Sequence, residues 1–165
     1  MPAEHDELET SIRVEVPLDQ AFATFVDRLG TWWPQELTFS EDAFETAVIE
    51  RQAGLRWFER KVSGEELEWG EVRAWEPPER ILLSWRVGPD RTQEEPDRAS
   101  EIEVRFSEEG PAATLVTLSH RHFGRHGEGG EQMRQGMASE QGWPGLLERF
   151  RRTAEGGWNS AALAG

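Results

Sequence analysis

EQMRQGMASEQGWPGLLERFRRTAE, residues 131–155, is the stretch that decides the fold. Met133 and Met137 stand four apart, and Trp143, Leu146, Leu147, Phe150 and Ala154 follow at intervals of three and four. Residues so spaced share one side of an α-helix, because a helix turns once in about 3.6 residues. Gly142 and Pro144 interrupt the pattern, since proline lacks the N–H of an interior helical residue. Either a short helix precedes the main one, or one long helix is kinked there. An apolar stripe of this length must be buried against another layer.

That layer is read upstream as a series of strands. TSIRVEV (10–16) alternates, with Ile12, Val14 and Val16 on one side, the period of a half-buried strand. FETAVIER (44–51) and AGLRWFER (53–60) follow, with Gln52–Gly54 as a hairpin turn. ELEWGEVRAWEP (66–77) keeps a period of two only if a bulge near Gly70 or Ala74 reconciles Trp69 with Val72 and Trp75. RILLSWRV (80–87) places Ile81, Leu83, Trp85 and Val87 on one face. SEIEVRF (100–106) and ATLVTLSHRH (113–122) complete the set, with the polar stretch 88–98 as a loop between the last two hairpins. A helix is expected over 18–30, where Ala21, Phe22, Phe25, Val26 and Leu29 have helical spacing, with Asp19 as N-cap and Gly30 at its end. The order is strand, helix, about six strands, long helix. The spacing therefore predicts an α+β domain over 10–155, a sheet covered by the last helix, with 1–9 and 156–165, apart from Trp158, as loose termini.

Composition narrows the function. The net charge is −14, from 32 acids against 18 bases. A field of that sign repels phosphate backbones and anionic bilayers, which disfavours nucleic acid and membrane partners. Cysteine is absent, which removes disulfides, thiol chemistry and thiolate metal ligands. No run approaches the roughly 20 apolar residues of a membrane helix, and the acidic start MPAEHDELETS does not read as a secretory signal, so the cytoplasm is the expected location. Eight tryptophans without a single tyrosine point to a large aromatic core or a pocket.

Four pieces of the chain, in their order, resemble one family. They are VPLDQAFATFVDRLGTWWP (16–34), WGEVRAWEPPERILLSW (69–85), ATLVTLSHRHF (113–123) and QGWPGLLERFRRTAE (141–155). The residues that carry the likeness are Pro17, Ala21, Phe22 and Trp32-Trp33, then Gly70, Val72, Pro77-Pro78, Arg80 and Trp85, and finally Gly142, Trp143, Leu147 and Phe150. The pattern is similar to the SRPBCC (START-like) superfamily, and within it to bacterial homologues of the ATPase activator of the heat-shock chaperone of ninety kilodaltons. The resemblance implies a helix-grip fold, a curved antiparallel sheet of six or seven strands closed over a C-terminal helix with a cavity between them. It does not imply one function, since members bind lipids or hormones, act as cyclases or bind chaperones.

The candidate ligand-binding residues are Trp57, Phe58, Trp69, Trp85 and Phe123, with Met133 and Met137 from the helix side. Rings offer stacking surface and methionine adapts to irregular shapes, although the same residues equally suit a filled core. Glu71 and His120 complete the set as polar groups near the aromatic strands. Acid–base chemistry would need a polar group held in the cavity, for which Glu71, Arg73, Arg56 and Glu59 are candidates by parity. His120, His122 and His126 form an H-x-H-x-x-x-H run, but no carboxylate at ligand spacing accompanies it, and a structural role is expected rather than zinc. Neither a G-x-S-x-G elbow nor a glycine-rich nucleotide loop is present. No catalytic residue, metal or cofactor is assigned. The leading expectation is binding of a small hydrophobic or aromatic ligand by a monomer or homodimer. The alternatives are a cyclase or hydratase using the same cavity, and a domain that docks on a chaperone or another protein.

Overall fold

The computed structural model describes residues 7–88 and 92–157. Seven strands form one antiparallel sheet: β1 Glu7–Val14, β2 Phe44–Ile49, β3 Arg56–Lys61, β4 Glu66–Glu76, β5 Arg80–Trp85, β6 Ser100–Glu108 and β7 Thr114–Arg121, in the order β1-β7-β6-β5-β4-β3-β2. The six strands after the first form a continuous meander, and β1 joins it by pairing with β7, Val14 opposite Thr114. The helices are α1 Leu18–Asp27, α2 Leu29–Trp32, α3 Gly130–Ala138 and α4 Trp143–Arg152, the last continued by a wider turn over Thr153–Gly157. The sheet curves as a half-barrel around α4. This is the helix-grip fold expected from the sequence.

The apolar spacing of α4 explains its place. Trp143, Leu146, Leu147 and Phe150 are all buried, while Arg149, Arg151 and Arg152 occupy its last turn, where cations complement exposed carbonyls. Phe150 packs edge-on to Phe25 of α1 and to Trp32 at 5.4 and 5.6 Å between ring centres. Phe25 also meets Phe106 of β6, so sheet, first helix and last helix share one aromatic core. The two helices at the C-terminus are separate: Gly142 and Pro144 break the stripe, and α3 buries only Gly130.

Local corrections follow from backbone hydrogen bonds. β1 begins at Glu7, three residues into the stretch expected to be loose, because its amides find partners along β7 as far as Arg121. The cap of α1 is Pro17, with no side-chain cap bond, and Asp19 lies in the first turn. Gly30 does not end the helical run but sits inside α2, where a Cβ would lie 2.1 Å from Thr46 Oγ1 of β2. The irregular strand β4 carries two bulges. One extra residue, Trp69, stands between Gly70 and Glu68 where they pair with β3, and another, Arg73, between Val72 and Ala74 where they pair with β5. They return Trp69 and Val72 to the buried side. Trp158 and the extreme termini expected to be loose, residues 1–6 and 158–165, lie outside the described residues.

The convex face is charged. Glu103 is nearly buried there between Arg80 and Arg121, at 2.5 and 2.7 Å, with Arg105 at 3.0 Å. Burial works against its carboxylate, but the bonds from Arg80 and Arg121 prevail and hold its pKa below the usual value. Among the described residues, no helix is long and apolar enough to cross a membrane.

Candidate functional site

Seven of the eight tryptophans lie within the described residues, and five of them gather at one end of the concave face. Trp33, which follows α2, is their hub: its ring centre lies 4.9 Å from Trp69, 5.7 Å from Trp143, 6.1 Å from Trp85 and 6.4 Å from Trp57. The indole N–H groups are anchored one by one. Trp33 donates to the Leu37 carbonyl at 3.2 Å, Trp57 to the Ser84 carbonyl at 2.8 Å, Trp69 to Glu59 at 2.7 Å and Trp143 to His120 Nδ1 at 2.9 Å. The Trp85 N–H is buried and has no hydrogen-bond partner among the described residues. Gly70 makes the Trp57 anchor possible, because a Cβ there would lie 1.9 Å from the Ser84 oxygen and 2.8 Å from the Trp57 nitrogen.

Beside this cluster the rings stop filling space and begin to bound it. A cavity of about 370 Å³ opens between the sheet and the two C-terminal helices. Its sheet wall is Trp69, Trp85 and Val87, and its far wall is Trp33 with the segment Leu37–Phe39. Met133 and Met137 of α3 and Leu146 of α4 close it from the helix side. The exposed residues Gln132, Gly136 and Gln141 also border it, so it opens to solvent along α3. The volume falls in the range of roughly 300–1,000 Å³ typical of small-molecule sites. Among the described residues, Thr38, Gln132 and Gln141 are the polar side chains of the lining, and no Asp, Glu, Lys, Arg or His belongs to it.

The sequence candidates divide accordingly. Trp69, Trp85, Met133 and Met137 line the cavity. Trp57 stands behind it, fully buried against Trp69 and Trp85. Phe58 does not reach it: strand alternation turns it to the convex face, where the Arg56 guanidinium lies 4.2 Å over its ring. Glu71 is likewise on the outside, half-exposed beside Arg73. Phe123 is buried 4.1 Å from the His120 ring, with the planes inclined by 31°. Among the lining residues that sequence reasoning missed are Trp33, Leu37, Thr38, Phe39 and Val87 on the sheet side and Gln132, Gln141 and Leu146 on the helix side. The Trp32-Trp33 pair was visible as a motif, yet only the turn after α2 brings Trp33 against β3, β4 and β5.

His120 belongs to a buried chain of hydrogen bonds. Its Nε2 lies 2.7 Å from Ser100 Oγ, which lies 2.7 Å from His126 Nε2, whose Nδ1 lies 2.5 Å from Glu94. With both rings neutral, the two ends set the order of the protons. The Trp143 indole can only donate, so His120 Nδ1 accepts and its Nε2–H points to Ser100. Ser100 then donates to His126, whose Nδ1–H is left for the Glu94 carboxylate. Burial holds the His120 pKa well below its usual value, and the neighbouring His126 pushes the same way, which suits a neutral ring. Glu94, His126 and Ser100 stand in the order of a hydrolase triad. However, Ser100 is only 1% exposed and its oxygen is engaged from both sides. The network ties β6, β7 and α4 together and does not line the cavity. His122 is not aligned with the other two histidines, since its left-handed backbone, φ 68°, leads the chain out of β7. Among the described residues no group of three or more His, Asp or Glu is placed to hold a metal ion.

With this geometry in place, comparison with known proteins decides the family. The model of the family described as Activator of Hsp90 ATPase homolog 1-like protein matches residues 15–155. The chain belongs to that family. Among solved structures, an anthrahydroquino-γ-pyrone synthase, Txn09, is 31% identical, with a TM-score of 0.64 over 90% of this chain and 97% of that one. CalC from Micromonospora echinospora, a self-sacrificing resistance protein, is 27% identical, with a TM-score of 0.65 over 91% and 95%. CalU16 from the same organism, at 21% identity and a TM-score of 0.55 over 93% and 79%, shares the fold. Among curated proteins no sequence matches. The fold has the general capacity for a hydrophobic or aromatic ligand pocket, and in this chain the cavity is walled largely by tryptophan and methionine.

Proposed function

We propose that this activator-homologue protein binds a small, flat, apolar or aromatic molecule in the cavity between its sheet and helices α3 and α4, and does so without catalysing a reaction. The observation that carries the reading is the lining itself. Three indoles and two methionines face a volume of about 370 Å³ that reaches solvent, and among the described residues no titratable side chain belongs to its wall. Such a surface offers burial and stacking, each aromatic contact adding about 0.5–1.5 kcal/mol beyond area burial. It offers no group to take or give a proton, which acid–base catalysis requires. His120 and Glu59 lie close, but each is fully buried behind tryptophan.

Titration with 1-naphthalenemethanol, followed by quenching of tryptophan emission, tests the reading. Saturable quenching is expected, because Trp33, Trp69 and Trp85 are wall residues. Met133→Arg places a charged, longer side chain at the opening and should abolish the response while circular dichroism stays unchanged. Equal binding by the folded variant would locate the site elsewhere.

A second reading has one specific support, the 31% identity with a pyrone synthase. In it the cavity folds an aromatic substrate for ring closure. Positioning alone would supply the rate, through the entropy saved in holding reacting atoms together. Turnover of an aromatic polyketone that leaves the naphthalene site competitively inhibited would favour this reading over simple binding.

A further inference from the structure

Glu59 of β3 carries a carboxylate with no exposed surface. It accepts hydrogen bonds from four donors: the Phe39 N–H at 2.8 Å, the Ser40 N–H at 2.7 Å, the Ser40 hydroxyl, and the Trp69 indole N–H at 2.7 Å. Every one of these bonds fits the ionised form, in which both oxygens only accept. Among the described residues no Arg, Lys or His pairs with it, although the rest of the protein is rich in ion pairs. A buried charge is normally paired, and here the pairing is left to neutral dipoles.

The position of this charge is what connects it to the site. Two of its three partner residues, Phe39 and Trp69, are cavity wall. The negative charge therefore lies one side chain behind the binding surface, in a region of low dielectric where its field is weakly screened. By accepting the Trp69 N–H, the carboxylate polarises that bond and makes the indole more electron-rich, which strengthens the ring's attraction for cations. Trp33 and Trp85 offer two more indoles beside it. Among the described residues the wall holds no cation, and the exposed residues next in sequence to the lining residues Gly129, Gln132 and Gln141 are Glu128, Glu131 and Glu140, of which Glu131 is paired with Arg134.

We infer that the cavity selects aromatic molecules bearing a protonated amine, preferring them to neutral isosteres and rejecting carboxylates, and that Glu59 is the positioning and selecting residue. The inference rests on the cavity-binding reading above and adds the ligand's charge to it. A unit charge on the order of 10 Å away, at an effective dielectric near 20, changes affinity by about tenfold.

Three probes with one ring system test it: 1-naphthalenemethylamine, protonated at pH 7, 1-naphthalenemethanol, and 1-naphthaleneacetate. Dissociation constants are measured by tryptophan quenching and by calorimetry, in 0.1 M and 0.5 M sodium chloride. The expected order is amine, alcohol, acetate, with at least about tenfold between first and last. The preference should persist at 0.5 M salt, where the exposed acids of the rim are screened and Glu59 is not. In Glu59→Gln, checked for folding by circular dichroism, the amine should lose its advantage and come within about twofold of the alcohol, while the alcohol itself still binds. Acetate binding as well as the amine, a preference that vanishes at high salt, or a folded Glu59→Gln protein that keeps it would each overturn the inference. Should Glu59→Gln not fold, the wild-type series in both salts decides alone. Failure of all three probes to bind would instead overturn the cavity reading on which the inference stands.

Discussion

Burial keeps His120 neutral in the folded protein to a pH well below the usual imidazole range, whereas in the unfolded chain the same ring protonates near pH 6.5. Below that pH the unfolded state binds the extra proton, so stability falls as the solution is acidified. At pH 7.5 both states are neutral and the group contributes almost nothing to this balance. By pH 5 the unfolded ring has titrated over about 1.5 pH units, and at 1.36 kcal/mol for each the cost is about 2 kcal/mol. His120→Gln isolates this cost. The amide retains a donor and an acceptor for Ser100 and Trp143 but cannot titrate. Urea unfolding followed by far-ultraviolet circular dichroism at pH 7.5, 6.5, 5.5 and 5.0 should find the variant less stable at pH 7.5. The gap should close by about 2 kcal/mol at pH 5. Carboxylates titrate in both proteins and cancel in the comparison. Parallel pH profiles would show that folded His120 protonates freely, and the proton order from Trp143 to Glu94 would be wrong.

Two further stability measurements address the tryptophans. Trp143→Ala removes an indole that is 1% exposed and strands the His120 acceptor, so urea melts should register a loss of about 3–5 kcal/mol; a change under about 1 kcal/mol would place the residue at the surface. Trp57→Phe discards a 2.8 Å bond to the Ser84 carbonyl, whereas Trp85→Phe discards an N–H without a partner. The first should therefore be the more damaging by about 1–2 kcal/mol, and the opposite order would reveal a partner for Trp85.

Much of the architecture was legible because it depends on period alone. Alternation in β5 and β6 and the three-and-four spacing of α4 state which side of each element is buried, and burial dictates that sheet and helix meet. The break at Gly142 and Pro144 was equally plain, since it is a local property of two residues. Strand ends were less so: β1 extends back to Glu7 because β7 offers partners there, a fact that no property of residues 7–9 records. The broken parity of Trp69, Val72 and Trp75 called for a bulge near Gly70 or Ala74, and β4 has one at each place.

Side chains that share a face are a property of sequence; side chains that share a point in space are not. Alternation could nominate Trp69 and Trp85, and helical spacing could nominate Met133 and Met137, but the same rules nominated Phe58 and Glu71, which the strands direct outward or leave at the surface. Whether a ring fills the core or bounds a cavity depends on what stands opposite it. Trp57 meets two other indoles, while Trp69 and Trp85 also face the gap beneath α3. The buried chain from Glu94 to Trp143 joins residues up to 49 positions apart, and Glu59 grips a segment 19 and 20 residues away. The sequence alone determined the elements, their buried faces and the family. The closure of the sheet around α4 decided the cavity and the surroundings of Glu59 and His120, because hydrogen bonds, burial and electrostatic fields act through distances that only the folded chain sets.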